Sequence, residues 1–430
     1  MKLFRIIAVI ISFTFLLEAT AQPQKKLYEI DVYPENGEWN LPLNQNVNYV
    51  VNLTKSNVPY GNFDVSYEIS EDMMAPTKKG KVRLKDGRGV IKGGSMKQPG
   101  FLRCKVFWEN EGRKYEGMAT VGYSPEKLQP VTQLPLDFNE FWNQAISDAR
   151  KWDLEQKITL DAQASTPKVN VYKVSWTNNG WGSKMYGVLT IPAKPGKYPA
   201  ILKVPGAGVR AYNGDISHSE KGVIVLEIGI HGIPVDLPAA VYQNLYQGAL
   251  KDYYLYNMDH RDRFYYKRVI TGCIRAVDFI ETLPEFNGCM ATFGGSQGGA
   301  LSIMVAALDP RVKALVSMYP AMSDMVGYTQ NRAGGWPHAM KNPNRHTTET
   351  INTLAYYDTS SFARKVSVPG FYTFGYNDLT CPPTSTMSVY NVVEAPKELM
   401  VCETTEHYAF QEQQSAAWNW VINFLKQCSE

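Results

Sequence analysis

Two patterns of apolar and polar residues divide the chain. Between residues 27 and 123, apolar and polar positions alternate over short segments such as 47–53 and 63–69, and turn residues such as 86–89 separate these segments. Alternation with a period of two is typical of strands that bury one face. The spacing predicts a small β-sandwich over residues 27–123. It contains no histidine, and we interpret it as a non-catalytic accessory domain, with a sugar-binding module as the alternative.

A second pattern begins near residue 170, where continuous apolar runs alternate with segments of helical period. Apolar runs of strand length are typical of strands buried on both faces, as in parallel sheets. We therefore predict an α/β fold with a mostly parallel sheet over residues 136–430, after a proline-bearing linker at 124–135. The first two strands are predicted to form a hairpin at one edge of the sheet. The predicted strands are 171–174, 185–191, 200–204, 222–227, 289–293, 314–318, 370–374 and 398–402, and the predicted helices are 262–282, 297–308, 383–393 and 412–426, with another beginning at 138.

The N-terminal segment has the pattern of a secretory signal peptide. Lys2 and Arg5 precede an apolar stretch at 6–17, and Ala19-Thr20-Ala21 is the small-x-small pattern that signal peptidase recognises. The apolar stretch is too short for a relaxed membrane span of about 20 residues, which leaves an uncleaved anchor as the weaker alternative. The sequence thus predicts a signal peptide at 1–21 and export to the periplasm or the extracellular space.

Composition and charge narrow the class of partner. The chain is 44% hydrophobic and 20% charged, with a formal net charge of +3, which is typical of a folded globular protein. No run of like charge occurs along the sequence, and this argues against nucleic acid and against a charged membrane surface as partners. A small molecule that is neutral or weakly charged fits better.

The six cysteines show no disulfide framework in their spacing. They form no CxxC pair, and Cys273, Cys289 and Cys402 lie in apolar runs. Export would permit disulfides, but apolar surroundings favour buried free thiols over bridges or a metal site. The full set is Cys104, Cys273, Cys289, Cys381, Cys402 and Cys428.

The clearest candidate for chemistry is Ser296. The segment Gly294-Gly295-Ser296-Gln297-Gly298 matches the G-x-S-x-G nucleophile elbow and lies between a short apolar strand and an Ala-rich helix, as that motif requires. Such a turn strains the backbone of the serine and exposes its hydroxyl beyond the sheet. The amides at the start of the helix favour negative charge at the same point. A Gly-rich turn without chemistry is the alternative.

A serine hydroxyl is a poor nucleophile at neutral pH and needs a base, which a carboxylate orients. Three histidines follow Ser296, and in this fold the chain order is serine, acid, histidine. His407 alone lies between the last predicted strand and the last predicted helix, whereas His338 and His346 lie in a polar insertion. We therefore predict His407 as the base, with a satisfied surface histidine as the alternative.

The predicted acid is Asp378, which lies in a loop that closes the preceding strand. Its position allows one α/β step between each pair of candidate residues. Glu403 and Glu406 are substitute acids, and a turn or N-cap role is the alternative for Asp378.

Several segments carry a resemblance to a known family: Pro135-Leu136-Asp137-Phe138-Asn139-Glu140-Phe141-Trp142, 264–268, 295–299, 306–314, and Asp378-Leu379-Thr380-Cys381-Pro382-Pro383. From about Leu136 to Leu425 the chain resembles the acetyl xylan esterase and cephalosporin-C deacetylase family of α/β-hydrolases. The resemblance implies hydrolysis of acetyl esters on sugars. It also implies catalytic roles for Ser296, Asp378 and His407, with the backbone amide of Gln297 as one oxyanion donor.

Other positions depart from the pattern of that family. The turn that carries the second oxyanion donor is Pro205-Gly206-Ala207-Gly208 here, which makes the amide of Ala207 the expected donor. His231 and Tyr408 replace an arginine and a glutamate beside the expected acyl pocket. Trp336, in the insertion, is a further pocket candidate, and that insertion forms either a lid, a subunit contact or a solvated loop.

The sequence thus predicts a secreted serine esterase that removes acetyl groups from carbohydrates through an acyl-enzyme intermediate. The expected partner is an acetylated oligosaccharide or another small acetyl ester, and homo-oligomerisation stays open. We expect no cofactor and no metal, because His218, His231 and His260 are too scattered for metal-binding spacing. The alternatives are a serine peptidase, a general short-chain esterase, and a non-catalytic glycan-binding protein on a hydrolase scaffold.

Overall fold

The computed structural model describes residues 26–428, which form a β-rich N-terminal region and an α/β region. The predicted signal peptide lies outside the described residues. No helix within residues 26–428 is long and apolar enough to cross a membrane.

The N-terminal region consists of two sheets that share one apolar core. One sheet has the order β1-β3-β4 with β7 also paired to β3, and the other has the order β2-β9-β8-β5-β6. Val51 from the first sheet packs in the same cluster as Val106 and Val121 from the second. The strands are β1 (Tyr28–Pro34), β2 (Asn40–Leu41), β3 (Val47–Lys55), β4 (Val58–Pro59), β5 (Asp64–Glu71), β6 (Lys78–Arg83), β7 (Arg88–Gly94), β8 (Gly100–Asn110) and β9 (Arg113–Tyr123).

The α/β region begins with helix α1 and ends with helix α9. Its helices are α1 (Phe138–Arg150), α2 (Ile216–Ser219), α3 (Ala239–Gln247), α4 (Tyr265–Glu281), α5 (Gln297–Leu308), α6 (Thr348–Ala355), α7 (Thr359–Ala363), α8 (Pro383–Asn391) and α9 (Gln411–Cys428). Its strands are β10 (Lys157–Leu160), β11 (Val169–Thr177), β12 (Lys184–Pro192), β13 (Tyr198–Lys203), β14 (Ile224–Gly229), β15 (Phe286–Gly295), β16 (Val312–Met318), β17 (Gly370–Phe374) and β18 (Lys397–Val401).

These nine strands form one sheet of order β10-β11-β12-β14-β13-β15-β16-β17-β18. The neighbours from β14 to β18 pair in parallel, and the α/β fold with a mostly parallel sheet is confirmed. The predicted hairpin is present as β11 and β12, but the edge strand is β10. All four residues of β10 are exposed. Its polar and apolar residues alternate over only four positions, and it was not predicted as a strand.

Helices cover both faces of the sheet because the central strands are apolar on both sides. On β13, Leu202 belongs to the cluster that includes α4 and α5, whereas its neighbour Ile201 packs in the cluster that includes Val421 of α9. Adjacent strand residues point to opposite faces, so one continuous apolar run supplies two cores. Full burial of each such side chain contributes about 1.5 to 3 kcal/mol.

A disulfide joins Cys289, in β15, to Cys428, at the end of α9. The expectation that Cys289 is a free thiol was therefore wrong, because α9 brings its partner to β15 from 139 residues away. The apolar run around Cys289 indicates that the residue is buried, but it carries no information on a partner so distant in the sequence. Cys273 is a buried free thiol, and Cys402 is also free.

The insertion after β16 contains a partly buried histidine, His338. His338 hydrogen-bonds the Tyr328 hydroxyl through Nδ1 at 2.8 Å, and burial lowers the pKa of His338 to about 4. The neutral imidazole is therefore part of the packed structure of the insertion.

We expect Cys428→Ala to lower the free energy of unfolding by about 2 to 4 kcal/mol, because the bond closes a loop spanning 139 residues. Denaturant unfolding without reductant measures this effect, and Cys402→Ala is the matched control because Cys402 forms no disulfide. Equal stability of the native protein and Cys428→Ala would contradict the prediction.

His338 should make stability depend on pH. An unfolded histidine titrates near pH 6.5, so between about pH 6.5 and 4 the unfolded chain takes up a proton that native His338 does not, and stability falls as pH falls. His338→Gln removes this contribution. The stability advantage of the native protein over His338→Gln should thus shrink by about 2 kcal/mol between pH 7 and pH 4.5.

Denaturant unfolding should measure the difference in the free energy of unfolding between the native protein and His338→Gln at each pH. Other groups titrate in the same window, such as Asp358, whose pKa is raised to about 6 by burial and by the neighbouring Asp324. A stability gap that stays constant with pH would show that His338 does not titrate as expected.

Candidate active site

Ser296 lies in a sharp turn between β15 and α5. Its backbone has φ 59° and ψ −124°, a conformation that costs a non-glycine residue free energy. The Ser296 amide donates to the carbonyl of Met318 at 2.9 Å, and the Ser296 carbonyl accepts from the amide of Ala321 at 3.0 Å. The surrounding backbone therefore holds the strained turn in place.

Two glycines make this turn sterically feasible. A Cβ on Gly294 would lie 2.3 Å from the carbonyl oxygen of Gly298, and a Cβ on Gly298 would lie 2.3 Å from the carbonyl oxygen of Val204. Both distances are too short for real contacts. Strand β15, helix α5 and the end of β13 can thus meet only where these side chains are absent.

His407 connects Ser296 to Asp378. It lies on the loop between β18 and α9, and its Nε2 is 2.9 Å from Ser296 Oγ. Its Nδ1 is 2.8 Å from Asp378 Oδ2. The ring of Tyr319 packs edge-on against the imidazole, with 5.0 Å between centroids. The structure therefore brings the three predicted residues into one chain of hydrogen bonds.

Asp378 is oriented by its own loop, residues 375–382, which we call the acid loop. Its Oδ1 accepts the amides of Thr380 and Cys381, each at 2.8 Å. This leaves Oδ2 for His407. The Asp378 side chain is fully buried, whereas His407 is 29% exposed. The carboxylate that contacts His407 is thus that of Asp378, and not one of the substitute acids Glu403 and Glu406.

The turn at 205–208 lies against Ser296. A Cβ on Gly206 would be 3.9 Å from Ser296 Cβ. Arg210 donates to the carbonyls of Gly206 at 3.2 Å and Ala207 at 2.8 Å. The carbonyl of Gly206 and the amide of Ala207 belong to one planar peptide group and point in opposite directions. By binding this carbonyl, Arg210 fixes the direction of the Ala207 amide.

His231 secures the same turn from its other end. Its Nε2–H donates to the carbonyl of Gly208 at 2.9 Å, and its Nδ1 accepts from the Tyr265 hydroxyl at 2.7 Å. Burial lowers the pKa of His231 to about 4, so the ring is neutral near pH 7. Both nitrogens of His231 are therefore occupied by contacts within the protein.

The Gln297 side chain links helix α5 to the turn. Its Oε1 accepts the hydroxyls of Tyr253 and Tyr266, each at 2.7 Å, and its Nε2 donates to the carbonyl of Pro205 at 3.1 Å. Sequence reasoning considered only the Gln297 backbone amide and missed both tyrosines. The available signal was a tyrosine, Tyr266, on the buried face of a helix, where its hydroxyl needs a partner.

The remaining pocket candidates lie around this centre. Trp336 packs against Tyr254 at 4.8 Å between ring centroids, and Tyr254 and Ala207 line a cleft of about 300 Å³. Tyr408 is 47% exposed and packs against Phe410. Contact of Trp336, Tyr408 or His231 with a substrate stays a prediction.

A larger cavity, of about 890 Å³, is lined by residues 131–137 and by parts of the segments 259–261 and 349–356. None of Ser296, Asp378 and His407 lines it. The site is thus identified by the chemistry of its residues and not by cavity size.

Asp378, Cys381 and His407 offer potential metal-ligand atoms within 4.8 Å of one another. A cysteine must be deprotonated to bind a metal. Burial and the Asp378 carboxylate raise the pKa of Cys381 well above that of an ordinary thiol. Both nitrogens of His407 are already engaged by Asp378 and Ser296. The donor set fits proton transfer better than metal binding.

Comparison with known proteins shows the fold and the general class of enzyme. The chain is 38% identical over 420 residues to acetyl esterase Axe7A of Xylanibacter ruminicola, an alignment that covers 95% of this chain and 94% of that protein. The acetyl xylan esterase of Paenibacillus sp. R4 superposes with a TM-score of 0.61 at 24% identity, covering 70% of this chain and 98% of that one.

The acetyl xylan esterase 1 of Thermoanaerobacterium sp. JW/SL YS485 superposes with a TM-score of 0.58 at 20% identity, covering 70% of this chain and 97% of that one. These two structures support the α/β-hydrolase fold. The sequence model of the acetyl xylan esterase family matches residues 123–424. The chain therefore belongs to the acetyl xylan esterase family, and it is a carboxylic ester hydrolase.

Proposed function

We propose that this protein is an exported esterase that removes acetyl groups from acetylated carbohydrates, with Ser296, His407 and Asp378 as its catalytic triad. Family membership supports an ester as the substrate, and the similarity to a protein named acetyl esterase supports acetyl as the group removed. The signal-peptide pattern at 1–21 supports export.

The observation that carries the proposal is the chain of hydrogen bonds from Asp378 through His407 to Ser296. Nδ1–H of His407 donates to Asp378, which leaves the lone pair of Nε2 directed at the Ser296 hydroxyl. As Ser296 Oγ bonds to the ester carbonyl carbon, its proton passes to Nε2. The buried Asp378 carboxylate stabilises the imidazolium that forms.

The developing oxyanion would accept hydrogen bonds from the backbone amides of Gln297 and Ala207. Gln297 is the first residue of α5, where amides have no partner within the helix. The Ala207 amide is held by the bonds that Arg210 makes to the turn. Because these donors are fixed before the reaction, they need no reorganisation when charge develops.

The tetrahedral intermediate then collapses as His407 Nε2–H protonates the leaving sugar oxygen, and acetyl-Ser296 remains. Water repeats the sequence: His407 takes its proton, its oxygen attacks the acetyl carbon, and Ser296 Oγ leaves with the proton from Nε2. Acetate and free enzyme are the products. Release of acetate from acetylated xylo-oligosaccharides, compared with other acetylated glycans, would test the substrate class.

We expect Ser296→Ala to reduce kcat for p-nitrophenyl acetate by about 10⁶, as is typical for loss of a triad nucleophile, and His407→Ala to cause a loss of similar size. The fold should persist, because neither side chain belongs to an apolar core. His346→Ala is the control in the insertion and should keep native kcat. Retention of more than a few per cent of activity by either triad variant would remove that residue from its role.

The acyl pocket should favour acetate over longer chains. Each methylene that a pocket cannot accommodate costs about 1 to 3 kcal/mol in transition-state binding. We expect kcat/KM to fall by at least about tenfold from the acetyl to the butyryl p-nitrophenyl ester. Rates that instead rise steadily from acetyl to octanoyl would indicate a lipase-like or general esterase pocket.

A further inference from the structure

A buried ion pair of the N-terminal region lies directly beneath the acid loop. Arg103, in β8, and Asp72, just after β5, are 1% and 3% exposed. Arg103 Nη2 lies 2.7 Å from Asp72 Oδ1. A buried guanidinium has five N–H donors, and each one left without a partner costs free energy. The other contacts of this pair therefore show which segments it stabilises.

Those contacts lead to the residues that immediately precede Asp378. Arg103 Nη2 also donates to the carbonyl of Tyr376 at 3.3 Å, and Arg103 Nε donates to Thr120 Oγ1 at 2.9 Å. The Thr120 hydroxyl in turn donates to Asn377 Oδ1 at 3.0 Å. Two successive residues of the acid loop are thus held by β8 and β9.

The same ion pair also reaches the residues that follow the acid loop. Asp72 Oδ2 accepts the amide of Thr384, in α8, at 3.1 Å. The acid loop is therefore tied on both sides to one buried pair of charges. Neither Arg103 nor Asp72 can move away without leaving the other charge buried and unpaired.

Asn377 extends the connection to the loop that carries His407. Its Nδ2 donates to the carbonyls of Met118 at 3.2 Å and Thr404 at 3.4 Å, and its amide donates to the carbonyl of Thr405 at 3.2 Å. One side chain thus joins β9, the acid loop and the histidine loop.

We propose that Arg103 is a positioning residue for catalysis, which acts through Thr120, Tyr376 and Asn377 to set the Asp378 carboxylate against His407. The proposal rests on the proposed roles of Asp378 and His407. The residues that supply this support, Arg103, Met118 and Thr120, lie before residue 123, where the family match begins. The β-rich region is then part of the catalytic apparatus of this chain and not only an appended module.

Thr120→Val tests the proposal, because valine has nearly the shape of threonine and lacks the hydroxyl that links Arg103 to Asn377. Small displacements of a catalytic group can cost about 10²-fold in rate. We expect kcat for p-nitrophenyl acetate to fall by about 10- to 100-fold, with KM changed by less than about threefold. Thr120→Ser keeps the hydroxyl and should keep native kcat.

Tyr123→Phe is the matched control for loss of a buried hydroxyl. Tyr123 lies in the same strand, but its hydroxyl bonds the carbonyls of Gln45 and Gly94, away from the acid loop. It should lower stability without lowering kcat. Should Thr120→Val not fold, Arg103→Lys serves instead, since it keeps the charge opposite Asp72 and loses the donors to Tyr376 and Thr120.

A double variant separates positioning from a general structural effect. In an Asp378→Asn background, Thr120→Val should cause no further loss of kcat, because the group that it positions is already gone. Native kcat in Thr120→Val, or an undiminished extra loss in the Asp378→Asn background, would overturn the inference. Near-native activity of Asp378→Asn alone would instead overturn the proposed function.

Discussion

The close approach of α5 to β15 and to the end of β13 is the constraint on which the site depends. Val204 and Gly298 meet so tightly that no side chain fits between them, and this contact fixes the turn at Ser296 relative to β13. Parallel strands end at one edge of a sheet, and their loops cluster there. The loops after β17 and β18 therefore carry Asp378 and His407 to the edge where β15 presents Ser296.

The same regularity explains why much of this arrangement could be predicted from the sequence. Ser296, Asp378 and His407 each follow an apolar run of strand length. The order of these runs along the chain then predicts which loop carries each residue. Side chains that support the loops were not predictable in this way. Tyr253 donates to the side chain of Gln297, 44 residues away in the chain, and Arg103 lies on an alternating strand where a charged residue normally faces solvent. The pairing of Cys289 escaped prediction for the same reason.

Buried polar contacts join the β-rich N-terminal region to the α/β region. A buried ion pair is favourable only when its remaining hydrogen bonds are satisfied, and the partners of Asp72 and Arg103 come from both regions. Packing adds to this contact: the ring of Phe101 lies edge-on to Tyr376 at 4.8 Å, and the Tyr376 hydroxyl donates to Asn40 Oδ1. Separating the regions would thus expose apolar rings and leave charges unpaired.

The disulfide has a topological consequence for the site. Cys289 lies in the strand that leads to Ser296, and Cys428 ends the helix that follows His407. The bond therefore closes a covalent ring of chain that contains Ser296, Asp378 and His407. Residues 341–349 of this ring are mostly exposed. A protease that cut there would open the ring without releasing a fragment. The disulfide would still join the piece that carries Ser296 to the piece that carries Asp378 and His407.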